Sequence, residues 1–404
     1  MKILQVLVGA ATRTGGPPAF VGEAAVELAR QGADVRIFAT DLAIAPWGLG
    51  RRQRRIEPDE IHPALACADT RLFPARFPRR MGYSPALARA LRETVGESDV
   101  VHIHNLWQFP QYAAHRAARD AGIPYIVSPH GALDRYLRTR GRVRKGISTV
   151  LWQGEMLRGA ALIHVTTEAE RDSVADLAPG VPRAVVPCGV HTGEFERLPP
   201  PDVFRRDRLD GYTGPVILFL GRVTRKKGVD VLIRAFAEVR RGYECRLAVV
   251  GPDDEGILPG LRRLAVDLGV GDEVCFTGPA YGDQRLAALS SAAVWALASH
   301  TENFGIAVVE ALAAGCAVVT SPGVDIAADL ASANAGIVAE PSPRPFAEAL
   351  LAVLTDDQRR AALRRNAQVF AGRYEWSVVS PQLLRMYRGV VAARGDVPAR
   401  AGVG

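Results

Sequence analysis

Two carboxylates eight residues apart, Glu302 and Glu310, stand in the run S-H-T-E-N-F-G-I-A-V-V-E-A-L-A-A-G from Ser299 to Gly315. A polar loop there passes through Asn303, Phe304 and Gly305 into an apolar helix pattern. Just upstream, Ala293 to Ala298 has the character of a buried parallel strand. A strand, a glycine-bearing loop and a helix start together present unsatisfied N–H groups and a positive dipole end, where an anion can sit. Glu310 falls in the second turn of that helix. As an unpaired charge in a core it would be costly, so it is expected to point into a cleft. An ordinary strand-to-helix crossover with both carboxylates solvated fits the same local pattern.

A second signal lies earlier in the chain. The apolar run Val216–Leu220 ends in Gly221-Arg222-Val223-Thr224-Arg225-Lys226-Lys227-Gly228, and a helix pattern follows over Val229–Arg240. Glycines and cations at such a turn make a phosphate cradle. Arg222 can fork onto two phosphate oxygens, while Lys227 supplies a mobile point charge. A solvated surface run is the alternative, but the carboxyl end of a strand favours phosphate. Taken together, two cations and a helix N-terminus would receive a diphosphate. One carboxylate would accept from ribose hydroxyls, as acidic residues do in dinucleotide sites, and the other would serve a sugar. No Asp-x-Asp is positioned as a metal clamp, so no metal is expected and the chain's own cations must neutralise a leaving diphosphate.

Such a site needs sheets to hold it. At 404 residues the chain exceeds one ordinary core, and two domains are the natural expectation. With 48% hydrophobic, 23% charged and 7% aromatic residues, the composition is that of a soluble globular protein. No segment approaches ~18 uninterrupted apolar residues, so none is expected to span a membrane. The start, M-K-I-L-Q-V-L-V-G, reads as a first strand rather than a secretory signal. Cys67, Cys188, Cys245, Cys275 and Cys316 contain no C-x-x-C pair, which argues against a disulfide framework or zinc site and for a reducing cytoplasm. The net charge of +7 arises mostly in the first half, with arginine clusters at Arg51–Arg55, Arg76–Arg80 and from Arg135 to Lys145. That asymmetry suggests an acidic partner: anionic lipid, a phosphorylated acceptor or nucleic acid. An arginine-rich composition without any partner fits as well.

In chain order, Ile3–Val8 is a strand. Thr14, Gly15 and Gly16 form a glycine-rich turn before a helix ending near Gly32, and Ala33–Ala39 is the next strand. The turn is not G-x-G-x-x-G, so no dinucleotide site is assigned. Residues 41–84 give no assignment, and a helix covers Pro85–Val95. Asp99–His104 and Pro124–Ser128 are strands whose carboxyl ends carry Asn105, Trp107 and His130-Gly131, in the layer where open α/β sheets bind ligands. Residues 134–158 read as amphipathic and basic, suited either to an anionic membrane surface or to a packed helix with a solvated face. Ala161–Val165 and Ala184–Val186 are further strands, with Thr166-Thr167-Glu168 able to cap the helix between them. The linker is placed at Leu198–Val203. Strands at Val216–Leu220, Leu247–Val250, Val274–Thr277, Ala293–Leu297 and Ala317–Thr320 repeat the alternation of a parallel sheet. Tyr374–Val391 is a terminal helix, with a frayed tail beyond.

G-R-x-x-x-x-K-G followed by T-E-N-F-G-x-x-x-x-E-A-L-A-A-G resembles the retaining nucleotide-sugar glycosyltransferases of family GT4, with the GT-B fold. D-V-V-H-I-H-N-L-W and S-P-H-G-A-L resemble motifs of its bacterial polysaccharide and lipid-linked members, and the likeness covers about residues 1–390. The resemblance implies two Rossmann-like doubly wound parallel-sheet domains facing a cleft. These are an acceptor-binding domain over 1–198, a donor-binding domain over 204–374, a helix over 375–391 crossing back to the first domain, and a tail over 392–404. It implies that Arg222 and Lys227 grip the diphosphate and that Glu302 contacts the donor sugar, with Asn303, Phe304 and Gly305 nearby. Glu310 would hold the ribose and His130 would sit by the reacting centre. Gly15 and Gly16 would let the first loop approach donor and acceptor. The family's usual V-P-N-G-V-D is V-P-C-G-V-H here, with Cys188 and His191, which changes the expected hinge contacts. The expected reaction is metal-independent hexosyl transfer, with retention, from a nucleotide diphosphate sugar to a hydroxyl of a lipid-linked saccharide or polysaccharide precursor. It would need no cofactor and no nucleic acid, and would run in the cytoplasm, with possible contact to the inner membrane face. A sugar-nucleotide epimerase on the same fold, or a non-catalytic binder of anionic polymer or membrane, are the alternatives.

Overall fold

The computed structural model of the chain describes residues 1–11, 16–43, 54–133 and 153–395. They form two compact units. One takes the described residues up to Gly189 and those from Trp376 on, and the other runs from Val190 to Glu375. The expected linker at Leu198–Val203 lies inside the second unit.

The first unit is a seven-stranded parallel sheet. Its strands are β1 (Lys2–Gly9), β2 (Asp34–Thr40), β3 (Asp69–Phe73), β4 (Val100–His104), β5 (Tyr125–Ser128), β6 (Leu162–Val165) and β7 (Arg183–Val185). Their spatial order is β3-β2-β1-β4-β5-β6-β7. Seven of the eight residues of β1 are buried, and all five of β4. Such unbroken burial is what strands covered on both faces require. Among the helices, α1 (Gly16–Arg30) follows β1, α2 (Pro85–Thr94) precedes β4, α3 (Phe109–Asp120) follows β4, and α4 (Glu168–Val174) follows β6. The sheet order reverses between β1 and β4, which makes the carboxyl ends of these central strands the natural place for a ligand.

The edge strand β3 falls in the segment where the sequence pattern showed no element. D-T-R-L-F is neither a continuous apolar run nor cleanly alternating, and none of its residues is buried. The terminal helix Trp376–Gly395 packs on this same unit. Trp376 stacks on Phe20 with ring centroids 6.1 Å apart, and the place of a Cβ on Gly189 would lie 2.2 Å from the Trp376 ring. The glycine of V-P-C-G-V-H is therefore needed for that close approach. The basic segment 134–158 lies mostly outside the described residues, from 134 to 152.

The second unit is a six-stranded parallel sheet. Its strands are β8 (Val216–Leu220), β9 (Arg246–Val250), β10 (Val274–Gly278), β11 (Val294–Leu297), β12 (Val318–Thr320) and β13 (Gly336–Val338), in the spatial order β10-β9-β8-β11-β12-β13. Helices that matter below are α5 (Pro201–Arg208), α6 (Val229–Arg240), α7 (Asp283–Ser291) and α8 (Ile306–Ala313). β8 is wholly buried, and its five residues, V-I-L-F-L, carry no polar side chain. The two ends of the unit are tied by Val190 N donating to Tyr374 O at 2.7 Å and Thr192 N to Glu375 Oε2 at 2.7 Å. Among the described residues no helix is long and apolar enough to cross a membrane.

Candidate active site

In the second unit the loop after β8 turns through a short 3-10 segment, Arg225–Lys227, and enters α6 at Gly228. Gly228 has φ +62°, and a Cβ there would stand 1.9 Å from Ala298 O, so only glycine permits this junction. The loop is locked to the strand end of β11 by His300 N and Ser299 Oγ, which donate to Lys226 O at 2.8 and 2.9 Å. That lock brings the two motifs of the sequence together. Lys227 Nζ lies 2.7 Å and Lys226 Nζ 3.2 Å from one carboxylate oxygen of Glu302. Glu302 is itself held by its backbone, with N donating to Gly323 O at 2.7 Å and O accepting from Asp325 N at 3.0 Å.

Two ammonium groups thus converge on one carboxylate. Burial works against the charge on Glu302, but Lys227 and Lys226 overcome it and bring its pKa down to about 2. Burial lowers the pKa of Lys227, and Glu302 opposes that shift. The group therefore carries a surplus positive charge in a sheltered place beside the N-terminus of α6. Arg222 donates to Asp254 Oδ2 at 3.2 Å, an oxygen of a carboxylate 7% exposed, while its own guanidinium remains partly open to solvent. Burial raises the pKa of Asp254, and Arg222 counteracts it.

Glu310 is separately engaged. Arg285 of α7 donates to Glu310 Oε1 and, at 2.8 Å, to Glu194 Oε2, with its guanidinium 5.4 Å from the centre of the Phe195 ring. Burial raises the pKa of Glu310, and Arg285 pulls it back. Gly305, with φ +77°, caps α8, and Phe304 is buried edge-on to Tyr374 at 5.1 Å. Asn303 lies between Glu302 and Phe304 in the same loop.

His130 lies in the first unit, just past β5, with a left-handed φ of +51°. That conformation costs a non-glycine residue roughly 1–2 kcal/mol and marks a constrained position. Glu170 holds the turn. Its Oε1 accepts from Gly131 N at 2.6 Å and its Oε2 from Thr166 N at 2.8 Å, while Thr167 Oγ1 caps α4 by accepting from Glu170 N at 3.0 Å. Behind His130 runs a network of imidazoles. His104 Nδ1 meets His130 Nε2 at 2.9 Å, and His104 Nε2 meets Gln5 Oε1 at 2.9 Å. His164 Nε2 lies 2.9 Å from Val186 O and His164 Nδ1 2.7 Å from Ser128 Oγ, which also lies 2.7 Å from His102 Nε2. His102 Nδ1 lies 2.6 Å from Tyr387 OH.

Because a carbonyl only accepts, the direction of the second chain follows: Tyr387 donates to His102, His102 to Ser128, Ser128 to His164, and His164 to Val186 O. Burial pushes the pKa of His130 down to about 3 and that of His164 to about 4, and that of His102 and His104 well below the ordinary value, so all four rings are neutral at pH 7. Gly16 opens α1 and is exposed, while Gly15 lies outside the described residues.

Lys226, Asp254, Arg285, Gln5, His102, His104, His164 and Glu170 are the residues that sequence reasoning did not single out. Glu170 carried a usable signal, because T-x-x-E at Thr167–Glu170 has the sequence pattern of a capping box, although its carboxylate is spent on Gly131 N and Thr166 N. For Asp254 and Arg285 nothing local marks the residue, since each acts across a fold-level distance. Among the described residues no group of three or more His, Cys, Asp or Glu side chains is placed to hold a metal ion.

Two parallel doubly wound units, one carrying a cation cluster at a strand-to-helix turn, have the architecture of the GT-B fold. Residues 204–370 match the family model described as glycosyl transferases group 1, and residues 15–189 the glycosyl transferase 4-like domain. A D-inositol 3-phosphate glycosyltransferase of Saccharomonospora viridis is 30% identical, with 94% of this chain and 90% of that one covered. A phosphatidyl-myo-inositol mannosyltransferase of Mycolicibacterium smegmatis is 32% identical over 78% of each. Anabaena HepE, solved in complex with UDP-glucose, superposes with a TM-score of 0.77 at 17% identity, covering 96% of this chain and all of that one. The chain belongs to the GT4 family of glycosyltransferases and transfers a sugar to a hydroxyl acceptor.

Proposed function

We propose that the chain moves a hexosyl unit from a nucleotide diphosphate sugar to a lipid-linked saccharide or polysaccharide precursor, with retention at the anomeric carbon and without a divalent metal. The observation that carries this reading is the pair of ammonium groups on Glu302. Negative charge builds on the departing diphosphate as the glycosidic bond breaks, and prearranged cations stabilise it without reorganising. Lys227, Lys226 and Arg222 supply that charge from the protein itself, which supports a metal-independent reaction. Glu310 accepts from the ribose hydroxyls through Oε2, while Arg285 holds Oε1.

Glu302 is ionised and neutralised by two lysines, which dulls it as a covalent nucleophile and leaves it to accept hydrogen bonds from the sugar. Same-face attack assisted by the leaving phosphate therefore fits better than double displacement. The basic first half and the likeness to a phosphatidyl-myo-inositol mannosyltransferase support a lipid-linked acceptor at the cytoplasmic membrane face.

The test is a transfer assay with α-configured UDP-, GDP- and ADP-sugars, a chelator present and the product anomer read by NMR. An α-linked product is expected, and Lys227→Ala should lower kcat by on the order of 10²–10³-fold. A β-linked product, loss of activity with chelator, or an isomerised donor formed without acceptor would each overturn a part of the reading.

A further inference from the structure

Gln5 is out of character with its strand. Its neighbours Ile3, Leu4, Val6, Leu7 and Val8 are buried and apolar, and Gln5 itself is 1% exposed. Its Nε2 is buried and, among the described residues, has no hydrogen-bond partner. A buried amide left half-satisfied costs about 1–3 kcal/mol, so what this glutamine contributes is the one bond it does make. Its one bond goes to His104, which bonds in turn to His130.

The polarity of this short chain follows from elementary hydrogen-bond chemistry. An amide oxygen accepts only, so the proton of His104 sits on Nε2. A neutral imidazole has one N–H, so His104 Nδ1 is an acceptor. The hydrogen in its 2.9 Å contact with His130 must then come from His130 Nε2. His130, with its single proton committed there, keeps its lone pair on Nδ1. The ring is also clamped in place, stacked on His104 at 5.2 Å between centroids and edge-on to Phe20 at 5.7 Å.

We infer that Gln5 and His104 are positioning residues that fix the tautomer of His130, so that its Nδ1 accepts a hydrogen bond from a hydroxyl of the bound sugar or acceptor. The arrangement selects by chemistry. A ring with a lone pair and no proton at the ligand side welcomes a hydroxyl and offers nothing to a carboxylate or phosphate. The orienting partner on the far nitrogen is what decides which nitrogen carries the proton. The inference rests on His130 serving the sugar side of the transfer reaction proposed above.

Selective ¹⁵N labelling of the histidine rings, read by long-range proton–nitrogen correlation at pH 7.5, tests it directly. The wild-type protein should show His130 protonated at Nε2 and bare at Nδ1, and His104 likewise. Gln5→Met should mix the two tautomers of both rings and lower kcat about tenfold, the worth of one hydrogen bond, with the donor KM nearly unchanged. Gln5→Glu, whose carboxylate also only accepts, should restore the wild-type ring spectrum. A wild-type His130 carrying its proton on Nδ1 would overturn the inference, as would a Gln5→Met spectrum identical to wild type. Should Gln5→Met fail to fold, the wild-type spectrum decides alone. The ring spectra need no substrate. A wild-type protein inactive with every sugar nucleotide would therefore remove the functional reading, while the tautomer measurement still settles this one.

Discussion

The two units bury polar chemistry by opposite means. In the first, His102, His104, His130 and His164 are packed at the carboxyl ends of the central strands as neutral rings. Their hydrogen bonds run in fixed directions and end on groups that only accept, Val186 O and Gln5 Oε1. In the second, the sheltered groups stay charged and are paired: Lys226 and Lys227 with Glu302, Arg222 with Asp254, Arg285 with Glu310 and Glu194. The difference suits what each would meet. A departing diphosphate needs full positive charge, whereas a sugar hydroxyl needs an oriented acceptor.

Acid should separate the units most sharply. The histidines have folded-state pKa values below the 6.5 of a free ring, His164 at about 4 and His130 at about 3. The unfolded chain therefore binds more protons in this interval. Their contribution is fully present above about pH 6.5 and is lost as pH falls toward 4 and below, at about 1.4 kcal/mol per pH unit for each ring that titrates. Glu302 is lowered from 4.5 to about 2, so its contribution is present above 4.5 and is lost only as pH falls toward 2. Glu310 and Asp254, raised by burial, run the other way and soften that loss.

Urea unfolding followed by fluorine-labelled tryptophan, with Trp376 reporting the first unit and Trp295 the second, should show the first transition shift to lower urea between pH 6.5 and 4. The second should move little over that range. Equal shifts in both would end the contrast between neutral and ionic burial.

Much of this was readable from sequence, for a physical reason. Glycine-bearing strand-to-helix turns and buried parallel strands are local: Gly221 to Gly228 and the run Val216–Leu220 carry their own signal, and the structure has the turn and the strand where the pattern put them. The partnership of Lys227 with Glu302 was legible only as two separate motifs. The two lie 75 positions apart in the chain, and the contact depends on the lock of Lys226 O by Ser299 Oγ and His300 N. The imidazole network was less visible still. H-I-H in a strand places His102 and His104 on one face, yet Gln5, Ser128, His164 and Tyr387 arrive from β1, β5, β6 and the terminal helix. No periodicity links them.

Replacing Glu302 by glutamine tests the ionic side. It keeps the shape and removes the charge shared by one buried ammonium group, Lys227, and one half-buried one, Lys226. Breaking one partner of a buried pair costs about 3–5 kcal/mol, because the remaining charge is left uncompensated. Glu302→Gln should lower the second unit's urea midpoint accordingly and leave the first unit's unchanged. A change below about 1 kcal/mol would mean that the lysines are solvated and carry no sheltered charge.

The smallest effect is expected from Tyr387→Phe, the matching test of the neutral side. Tyr387 heads the directed chain, and its hydroxyl donates to His102 Nδ1 at 2.6 Å. Removing it strands one lone pair in the core, but every other bond keeps its direction. His164 still donates to Val186 O, so Ser128 still donates to His164 and accepts from His102. No charge is exposed by the change. The cost should be about 1 kcal/mol, read from the first unit's urea transition, within the range for a neutral buried bond. This is a fraction of the Glu302→Gln penalty, although that substitution keeps a polar side chain in place and this one deletes a hydroxyl. If Tyr387→Phe proved as damaging as Glu302→Gln, the first unit's rings could not be neutral, since only an uncompensated charge makes the loss of one bond so costly.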